Sequence, residues 1–239
     1  SVFSVDFDRT GTFVVSGSWD MNLKIWAVET GVCEKTLQGH TKDVTCVKYS
    51  PDSKSIASSS RDKTVRLWNS QTGSCSRILK GHNHVVNSVD YHPHKNHIVS
   101  ASLDKLVKVW CTETGDCVLT LKGHKGEVFS ARYSPSGEQI VSGEFGHDLF
   151  IWSAVSGKCV RTLAGHSMGI LCARYNPTGS RIVSASYDGS LRIWKSVTSE
   201  NMDEIKLAEG HTEEVICASL SPDGCHFVTG SWDTSLRVW

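Results

Sequence analysis

The chain has 239 residues, and its 25 basic and 25 acidic side chains give a formal net charge of zero. This length fits two ordinary domains or one large all-β domain, and a hydrophobic content of 39% is sufficient for a globular core. The balanced charge argues against a dedicated nucleic-acid binder, and no apolar run approaches the roughly 18 residues that a membrane span needs.

The chain opens directly on a strand-like alternation, Ser1-Val2-Phe3-Ser4-Val5-Asp6, without the basic segment that begins a signal peptide. It also lacks an initiator methionine. We therefore expect no signal peptide here, and we expect the sequence to be a piece of a longer chain.

Two sequence markers recur with one period, which identifies an internal repeat. A tryptophan recurs at intervals of 42, 42, 42, 42 and 45 residues, at Trp26, Trp68, Trp110, Trp152, Trp194 and Trp239. A Gly-His pair recurs at intervals of 42, 42, 42 and 45 residues, with the histidines at His40, His82, His124, His166 and His211. Both markers share the 42-residue period, and in both the last interval is three residues longer. We therefore divide the chain into six units, at about 1–38, 39–80, 81–122, 123–164, 165–209 and 210–239.

Each unit contains short segments of β-branched and aromatic residues separated by turn signals, which indicates strands joined by hairpins. All six units carry strands a, b and c, and strand a is predicted to start near Val2, Val44, Val86, Val128, Ile170 and Val215. An outer strand d is predicted near Cys33, Cys75, Cys117, Cys159 and Ile205. Runs with helical periodicity are absent, so the sequence predicts an all-β fold of four-stranded antiparallel meanders.

The repeated motifs resemble those of the WD40 repeat family. The Gly-His opening, a Ser-x-Asp turn such as Ser60-Arg61-Asp62, and a closing pair such as Leu67-Trp68 occur in nearly every unit. The resemblance covers essentially the whole chain and implies a single domain, 1–239, folded as a β-propeller of four-stranded blades around a central channel. The strand d that would close the last unit is missing, so we expect a native ring of either six blades with a trimmed closure or seven with one blade cut away.

The resemblance also implies a role for the recurring His, Ser or Thr, Asp and Trp residues. The family places the imidazole between a strand-b hydroxyl and the turn Asp, and the indole N–H completes a hydrogen-bonded tetrad. Carried over by position, the tetrads are His40, Ser58, Asp62 and Trp68; His82, Ser100, Asp104 and Trp110; His166, Ser184, Asp188 and Trp194; and His211, Thr229, Asp233 and Trp239. The set recurs, and no G-x-S-x-G nucleophile elbow accompanies it. We therefore interpret it as structural and predict no catalytic residue and no enzyme activity.

The fourth unit departs from this pattern, because Gly146 stands in place of the turn Asp and Glu144 in place of the preceding Ser. The other tetrad positions keep His124, Ser142 and Trp152. One interpretation is a weakened repeat, since Gly suits a tight turn. The other is a specialised rim loop formed by Glu144, Phe145 and His147.

The nine cysteines favour free thiols over disulfides. Four of them repeat one position in strand d, and the copies are too far apart to be bridged; they are Cys33, Cys75, Cys117 and Cys159. Three repeat a strand-a position, where we expect small packing residues: Cys46, Cys172 and Cys217. An odd number of thiols fits a reducing compartment, so we expect cytoplasmic localisation, with the nucleus as the alternative.

A histidine cluster in the third unit, His92, His94 and His97, is compatible with a Zn²⁺ or Ni²⁺ site. Carboxylate and thiol partners are not adjacent in the sequence, so a solvated turn is favoured. We predict no metal site and no cofactor.

Propellers of the resembled family mostly bind peptides or proteins on the top face around the channel. The family pattern places top-face side chains at the third and fifth residues after each Gly-His and immediately before each turn Asp. By position, the partner-binding candidates are Phe3, Trp19, Asp43, Arg61, Glu127, Phe129, Phe145, Tyr187, Glu214 and Trp232. Six aromatic residues and three acids accompany a single Arg, and both aromatic faces and carboxylates attract cations. We predict binding of a segment that carries a basic residue within hydrophobic flanks.

The resemblance therefore implies a non-catalytic interaction scaffold or recognition module with protein or peptide partners. The alternative is the substrate-receptor or sensor region of a larger multidomain signalling or ubiquitin-ligase protein. A propeller enzyme is disfavoured because nearly every His/Asp/Ser set is repeat-equivalent, and an RNA-binding platform is disfavoured by the zero net charge. We expect no small-molecule substrate, nucleic acid or membrane among the partners. The identity of the partner and the oligomeric state are left open.

Overall fold

The computed structural model describes residues 1–196, 211–221, 223 and 226–239. These residues form 22 β-strands in six sheets, and every pairing among them is antiparallel. In this part of the chain, no helix is long and apolar enough to cross a membrane. The chain divides into two compact units, unit 1 from Ser1 to Lys122 and unit 2 from Gly123 to Trp239.

Unit 1 contains three four-stranded sheets, named here blades 1, 2 and 3. Blade 1 consists of β1 (Val2–Phe7), β2 (Phe13–Ser18), β3 (Leu23–Ala27) and β4 (Cys33–Leu37). Blade 2 consists of β5 (Val44–Tyr49), β6 (Ser55–Ser60), β7 (Val65–Asn69) and β8 (Cys75–Leu79). Blade 3 consists of β9 (Val86–Tyr91), β10 (His97–Ser102), β11 (Val107–Cys111) and β12 (Cys117–Leu121).

Unit 2 contains the next three sheets, named blades 4, 5 and 6. Blade 4 consists of β13 (Val128–Tyr133), β14 (Gln139–Glu144), β15 (Leu149–Ser153) and β16 (Cys159–Leu163). Within the described residues, blade 5 has β17 (Ile170–Tyr175), β18 (Arg181–Ser186) and β19 (Leu191–Lys195), and blade 6 has β20 (Val215–Leu220), β21 (Phe227–Ser231) and β22 (Leu236–Val238). The predicted starts of strand a are confirmed in all six blades, whereas the strand d predicted near Ile205 lies outside the described residues.

Each blade is a meander, because its strands lie side by side in chain order and are joined by tight turns. In blade 2, the predicted turn Ser50–Ser53 follows β5, and the Ser53 N–H donates to the Ser50 carbonyl at 2.8 Å. Ser53 takes a left-handed conformation with φ 60°. The equivalent positions in blades 1, 4 and 5 carry glycine, which adopts this conformation without steric cost; they are Gly11, Gly137 and Gly179.

The core forms between the faces of neighbouring blades within each unit. In unit 1, Val15, Leu23 and Ile25 of blade 1 pack against Val47 and Trp68 of blade 2. An equivalent cluster joins blades 4 and 5 in unit 2 around Trp194. Trp68 is 1% exposed, and burial of a large apolar side chain contributes about 1.5–3 kcal/mol. The recurring tryptophans therefore stabilise the packing of one blade on the next as well as their own sheet.

Candidate functional site

The predicted tetrads are present in blades 2, 3, 5 and 6. In these blades the distance from His Nδ1 to the turn Asp Oδ2 is between 2.7 and 2.9 Å. The distance from His Nε2 to the strand-b hydroxyl is 2.7–2.8 Å, and the Trp Nε1–H donates to that hydroxyl at 2.8–2.9 Å. Blade 1 retains the bond from Trp26 Nε1–H to Ser16 Oγ, at 2.8 Å.

The proton arrangement follows from the Asp carboxylate, which only accepts hydrogen bonds. The His Nδ1–H therefore donates to Asp, the Ser or Thr hydroxyl donates to His Nε2, and the indole N–H donates to the hydroxyl. Burial acts to raise the pKa of Asp104, but hydrogen bonds from His82 and the Asn83 N–H outweigh it and lower that pKa to about 2. The same balance holds the pKa of Asp62 and Asp188 below its usual range.

The tetrads anchor the turn between strands b and c onto the interior of the blade. His40 is 6% exposed, and its partner Asp62 also accepts from the Thr41 N–H and the Thr64 hydroxyl. A buried polar group with all its partners stabilises one conformation of the loop. These repeated groups are thus structural elements, and the site is to be sought on the surface that they hold in place.

Blade 4 lacks the carboxylate that completes the tetrad. Ser142 Oγ is 2.8 Å from His124 Nε2 and accepts from Trp152 Nε1–H at 2.8 Å, as in the other blades. His124 Nδ1 is buried and has no hydrogen-bond partner among the described residues. Burial lowers the pKa of His124 to about 4. This histidine is therefore neutral at neutral pH.

Glu144 is fully buried in the space that the turn Asp would need. A Cβ atom added at Gly146 would collide with Glu144 Oε1. Glu144 Oε2 accepts from the Gly126 N–H at 3.0 Å, whereas Oε1 has no partner among the described residues. A Cβ at Gly126 would lie 2.8 Å from the Gly146 nitrogen, so glycine is required for this close approach. The loop is thus rebuilt around a different carboxylate, which is buried, whereas Phe145 and His147 of the rim-loop interpretation are exposed.

Blade 4 has also exchanged a cation for an aromatic ring. Lys24, Lys108 and Arg192 lie over the indole rings of their own blades, at 5.7–6.0 Å from the ring centroid. The equivalent residue of blade 4 is Phe150. Its ring centroid lies 5.7 Å from that of Trp152, on which it stacks, and 4.8 Å from that of His124. The cation and the turn carboxylate of the set are therefore both absent from this blade.

A β-bulge in strand a of every blade shapes the predicted top face. The pairing between strands a and b skips one residue in each case. The skipped residues are those at the fifth position after Gly-His: Phe3, Thr45, Asn87, Phe129, Leu171 and Ile216. A bulge re-aims the side chain of the unpaired residue. The positions transferred from the family pattern thus have a physical basis.

A backbone hydrogen bond ties the other two top-face positions of each blade together. The N–H of the residue before the turn Asp, or before Gly146 in blade 4, donates to the carbonyl of the third residue after Gly-His, at 2.8–3.1 Å. In blade 4, for example, Phe145 donates to Glu127 at 2.8 Å. Each blade therefore presents a triplet of neighbouring residues, which we call its top-face triplet.

In unit 2, three of the predicted residues form a ring cluster. The ring centroids of Phe129, Phe145 and Tyr187 lie 6.1–6.5 Å apart, and the planes are inclined by 50–80°. We call these three residues the unit 2 aromatic cluster. Gly169 allows their close approach, because a Cβ there would lie 2.9 Å from Phe145 Cδ2. Phe145 is 50% exposed, and the neighbouring Glu127 is exposed.

The remaining predicted residues are distributed over both units. In unit 1, Phe3 and Trp19 form an exposed ring pair with centroids 6.1 Å apart. Arg61 Nε lies 3.4 Å from Asp43 Oδ2, so these two residues form an ion pair with each other. In unit 2, Trp232 is exposed and its N–H donates to the Glu214 carbonyl.

The expectation of a solvated histidine turn is wrong for His92. Its ring is buried, and its Nδ1 accepts from the N–H groups of His94 and Lys95 at 2.9 Å each. It takes the place of Ser50 in blade 2, whose hydroxyl accepts from the Ser55 N–H in the corresponding turn. Among the described residues, no group of three His, Cys, Asp or Glu side chains is placed to hold a metal ion.

The eight cysteines that the structure describes are free thiols. Cys46 and Cys172 are buried packing residues, as predicted. Cys217 is exposed, contrary to prediction, whereas Val215 and Ala218 of the same strand belong to the core. The strand-d cysteines are exposed or half-buried.

We predict that Ser58→Ala costs about 2–4 kcal/mol of unfolding free energy, because it leaves the Trp68 indole N–H and His40 Nε2 buried without a partner. The measurement is the shift of the urea unfolding midpoint. The matched control is Ser59→Ala, which is also fully buried but occupies a position that is alanine in blades 3 and 5 (Ala101 and Ala185). An equal loss in both variants would contradict the structural role of the tetrad.

We predict that blade 4 opens before its neighbours in native-state hydrogen exchange. Its turn lacks the bond between imidazole and carboxylate, so the amides of β14 and β15 should exchange faster than those of β18 and β19. The comparison is internal to unit 2 and needs no variant. Equal protection in the two blades would show that Glu144 replaces the missing Asp fully.

We predict acid sensitivity from His124. Its pKa is about 4 in the folded chain and about 6.5 in the unfolded chain. Its contribution to stability is therefore present above pH 6.5 and is lost as the pH falls to 4, by about 3 kcal/mol. The measurement is the free energy of unfolding in urea, determined at several pH values between 7 and 4.

The matched variant restores the residues of blade 5 with Glu144→Ser, Gly146→Asp and Asp148→Ser together. It gives His124 a carboxylate partner, so the free energy of unfolding should change less between pH 6.5 and pH 4. Gly146→Asp alone should be destabilising, because the new side chain collides with Glu144. An unchanged slope in the triple variant would exclude His124 as its source.

The comparisons with known proteins agree with this geometry. The family model "WD domain, G-beta repeat" matches six times, at residues 1–27, 31–69, 73–111, 115–153, 157–195 and 203–239. The chain is 41% identical over 56 residues to WD repeat-containing protein SL1-17 of Schistosoma mansoni, covering 23% of this chain and 19% of that protein. It is 53% identical over 45 residues to nuclear distribution protein PAC1 of Arthroderma otae, covering 19% and 10% respectively.

A third relative is the lissencephaly-1 homolog of Branchiostoma floridae, which is 46% identical over 46 residues, covering 19% of this chain and 11% of that protein. The matched segments thus span between a tenth and a fifth of these relatives. The six family matches, in contrast, cover nearly the whole chain. The predicted fold class, an all-β WD40-type propeller, is confirmed, and the chain belongs to the WD domain, G-beta repeat family.

Proposed function

We propose that this chain is a non-catalytic interaction module whose top-face triplets bind a protein segment with a basic residue between hydrophobic residues. Propellers of this family generally act as protein-interaction modules rather than enzymes. The sets that resemble catalytic triads are buried and structural, which removes the main argument for an enzyme. The proposal therefore depends on the surface that the bulges and turns present.

The unit 2 aromatic cluster is the observation that carries the proposal. Phe145 is exposed, and Phe129 and Tyr187 are half-buried; aromatic residues are prominent among those that contribute most to binding energy at protein interfaces. Glu127 lies beside the cluster, since its carbonyl accepts from the Phe145 N–H. A carboxylate next to aromatic faces suits a Lys or Arg side chain, through an ion pair and a cation–π contact.

The acids of the predicted site differ in what they offer a partner. Asp43 is occupied by Arg61 and is 15% exposed, so an incoming cation must first displace that guanidinium. Glu127 is exposed and has no ion pair among the described residues. We therefore assign the recognition of the basic residue to Glu127. The exposed pair Phe3 and Trp19 provides a second aromatic surface in unit 1.

The relatives support interaction as the general role. One is named a nuclear distribution protein and another a lissencephaly-1 homolog. Only short segments of those proteins are matched, so their partners are not transferred to this chain. We also propose a reducing compartment, the cytoplasm or the nucleus, on the strength of the odd number of cysteines.

The test is a peptide array in which Lys or Arg stands between hydrophobic residues, compared with the same peptides carrying Glu or norleucine at that position. We expect binding of the basic peptides only. Phe145→Ala should weaken the best peptide by about tenfold or more, as expected for an interface anchor. Glu127→Gln should weaken the basic peptides and leave the norleucine peptides unchanged.

The matched controls are Leu103→Ala, at the position of Phe145 in blade 3, and Asp43→Asn, whose carboxylate is already paired. Neither should change the affinity by more than about twofold. Arrays without preference for basic peptides would overturn the recognition of a cation. Full binding by Phe145→Ala would overturn the assignment to the unit 2 aromatic cluster.

A further inference from the structure

A cavity of about 300 Å³ lies in unit 1, between blades 2 and 3. It is formed by the turn between β5 and β6 and the turn between β9 and β10. The top-face triplet of blade 2 lies at the start of β5, so the cavity is at the opposite end of these strands. It is therefore separate from the surface to which we assign partner binding.

The cavity lies beside the first residue of strand b in blade 2, which has the smallest side chain found at this position in blades 1 to 5. The first residue of strand b in blades 1 to 5 is, in order, Phe13, Ser55, His97, Gln139 and Arg181. Ser55 lines the cavity, and no hydrogen bond of its hydroxyl is present among the described residues. A side chain as long as that of Gln139 would occupy this space, so the cavity results from a substitution at one repeat position.

The inner wall of the cavity contains an unsatisfied hydroxyl group. Tyr91 lines the cavity, and its hydroxyl is buried without a hydrogen-bond partner among the described residues. Tyr175 is the equivalent residue of blade 5, and its hydroxyl donates to Gln139 Oε1 at 3.1 Å. Ser55 is the counterpart of Gln139 and is too short for this bond. A buried polar group left unpaired in this way is explained by an additional partner, such as a ligand or an ordered water.

A carboxylate is fixed at the edge of the same cavity. Asp52 Oδ1 accepts from the Ser50 hydroxyl at 2.6 Å and from the Lys54 N–H at 3.1 Å. The Ser50 hydrogen bond is the main cause that holds the pKa of Asp52 below its usual value. Asp52 Oδ2 has no hydrogen bond among the described residues. The cavity therefore offers an ionised acceptor of fixed position.

The opposite wall carries three other titratable groups: His92, which is buried, and His94 and Lys95, which are exposed as Asp52 is. Lys95 has a long, flexible side chain that can turn to solvent, whereas the position of Asp52 is set by its hydrogen bonds. Pro51, Pro93 and Leu67 contribute apolar surface. A volume of this size is at the lower end of ligand sites and suits a single side chain or a small amine.

We propose that this cavity binds an organic cation of side-chain size, an alkylammonium or guanidinium group. Its charged head lies between Asp52 and Ser55, beside the Tyr91 hydroxyl, and its aliphatic stem lies along the two prolines. The cation is either a Lys or Arg side chain of a partner or a free amine. The two sources share this chemistry.

The test is an NMR titration of the full 239-residue chain with N-acetyl-lysine-N-methylamide, the arginine analogue, n-butylamine and the isosteric norleucine amide. We expect saturable shifts of the Ser76 and Thr112 amides, which belong to cavity residues. The expected Kd of the three cations is about 5 mM, a weak affinity typical of fragments. If the two cationic amino-acid amides bind and n-butylamine does not, the site is assigned to a protein side chain.

Two variants test the two halves of the site. Asp52→Asn should weaken the cations about fivefold or more, in keeping with the loss of one charge-assisted hydrogen bond. Ser55→Gln introduces the residue of blade 4; it should abolish the shifts and raise the unfolding midpoint by giving Tyr91 a partner. The control is Tyr175→Phe, which removes the equivalent hydroxyl bond in blade 5 and should not change binding.

Several results would overturn the proposal. Equal binding of the norleucine amide would exclude recognition of a cation, and preferential binding of N-acetyl-glutamate-N-methylamide would show that His94 and Lys95 select an anion. Absence of saturable shifts with every probe up to about 50 mM, ten times the expected Kd, would show that the cavity holds only water. These readouts are independent of Phe145, so they separate this site from the top face.

Discussion

The packing of blades 2, 3, 5 and 6 depends on giving the buried histidine of each of these blades an acceptor for its Nδ1–H. Four blades solve this with a turn Asp at 2.7–2.9 Å, and the chain of hydrogen bonds continues through a hydroxyl to the indole. Because these groups are buried, each unmade bond would cost about 1–3 kcal/mol. The interaction thus determines where the turn between strands b and c lies. The same turn places the residue before the Asp, which is one of the predicted top-face residues.

Blade 4 shows how this constraint can be altered without loss of the fold. It lacks the turn carboxylate and also the cation over the indole ring, which is replaced by Phe150. His124 is neutral and packs against the ring of Phe150, so it does not require the turn carboxylate that accepts from the other histidines. The cost that remains is that His124 Nδ1 and Glu144 Oε1 are buried without a hydrogen-bond partner among the described residues. The neighbouring Phe145 belongs to the unit 2 aromatic cluster, so the altered turn also carries the feature on which the proposed function depends.

The repeat made most of the fold predictable from the sequence. A period of 42 residues located strand a, the turns and the tetrads, since each is determined by local pattern and repeated spacing. The bulge in every strand a was not predicted, and it falls at one of the positions that we had assigned to the top face. The ion pair of Asp43 with Arg61 was missed, since two residues 18 apart gave no signal of contact. The burial of His92 was also missed, because its polarity and its turn position both indicated solvent.

The features that the sequence did not indicate are deviations from the repeat rather than the repeat itself. Ser55 is an ordinary strand residue when read alone, and its consequence is visible only beside Gln139 and Tyr175, where the equivalent hydroxyl bond is made. The sequence did show that Glu144 and Gly146 depart from the repeat, but it did not indicate that Glu144 is buried in the space left by Gly146. In a repeat protein the shared residues are needed in every copy for folding. Folding of the repeat does not explain a position that differs in one copy and leaves a polar group unsatisfied. Such a position is therefore the first place to look for a specific function.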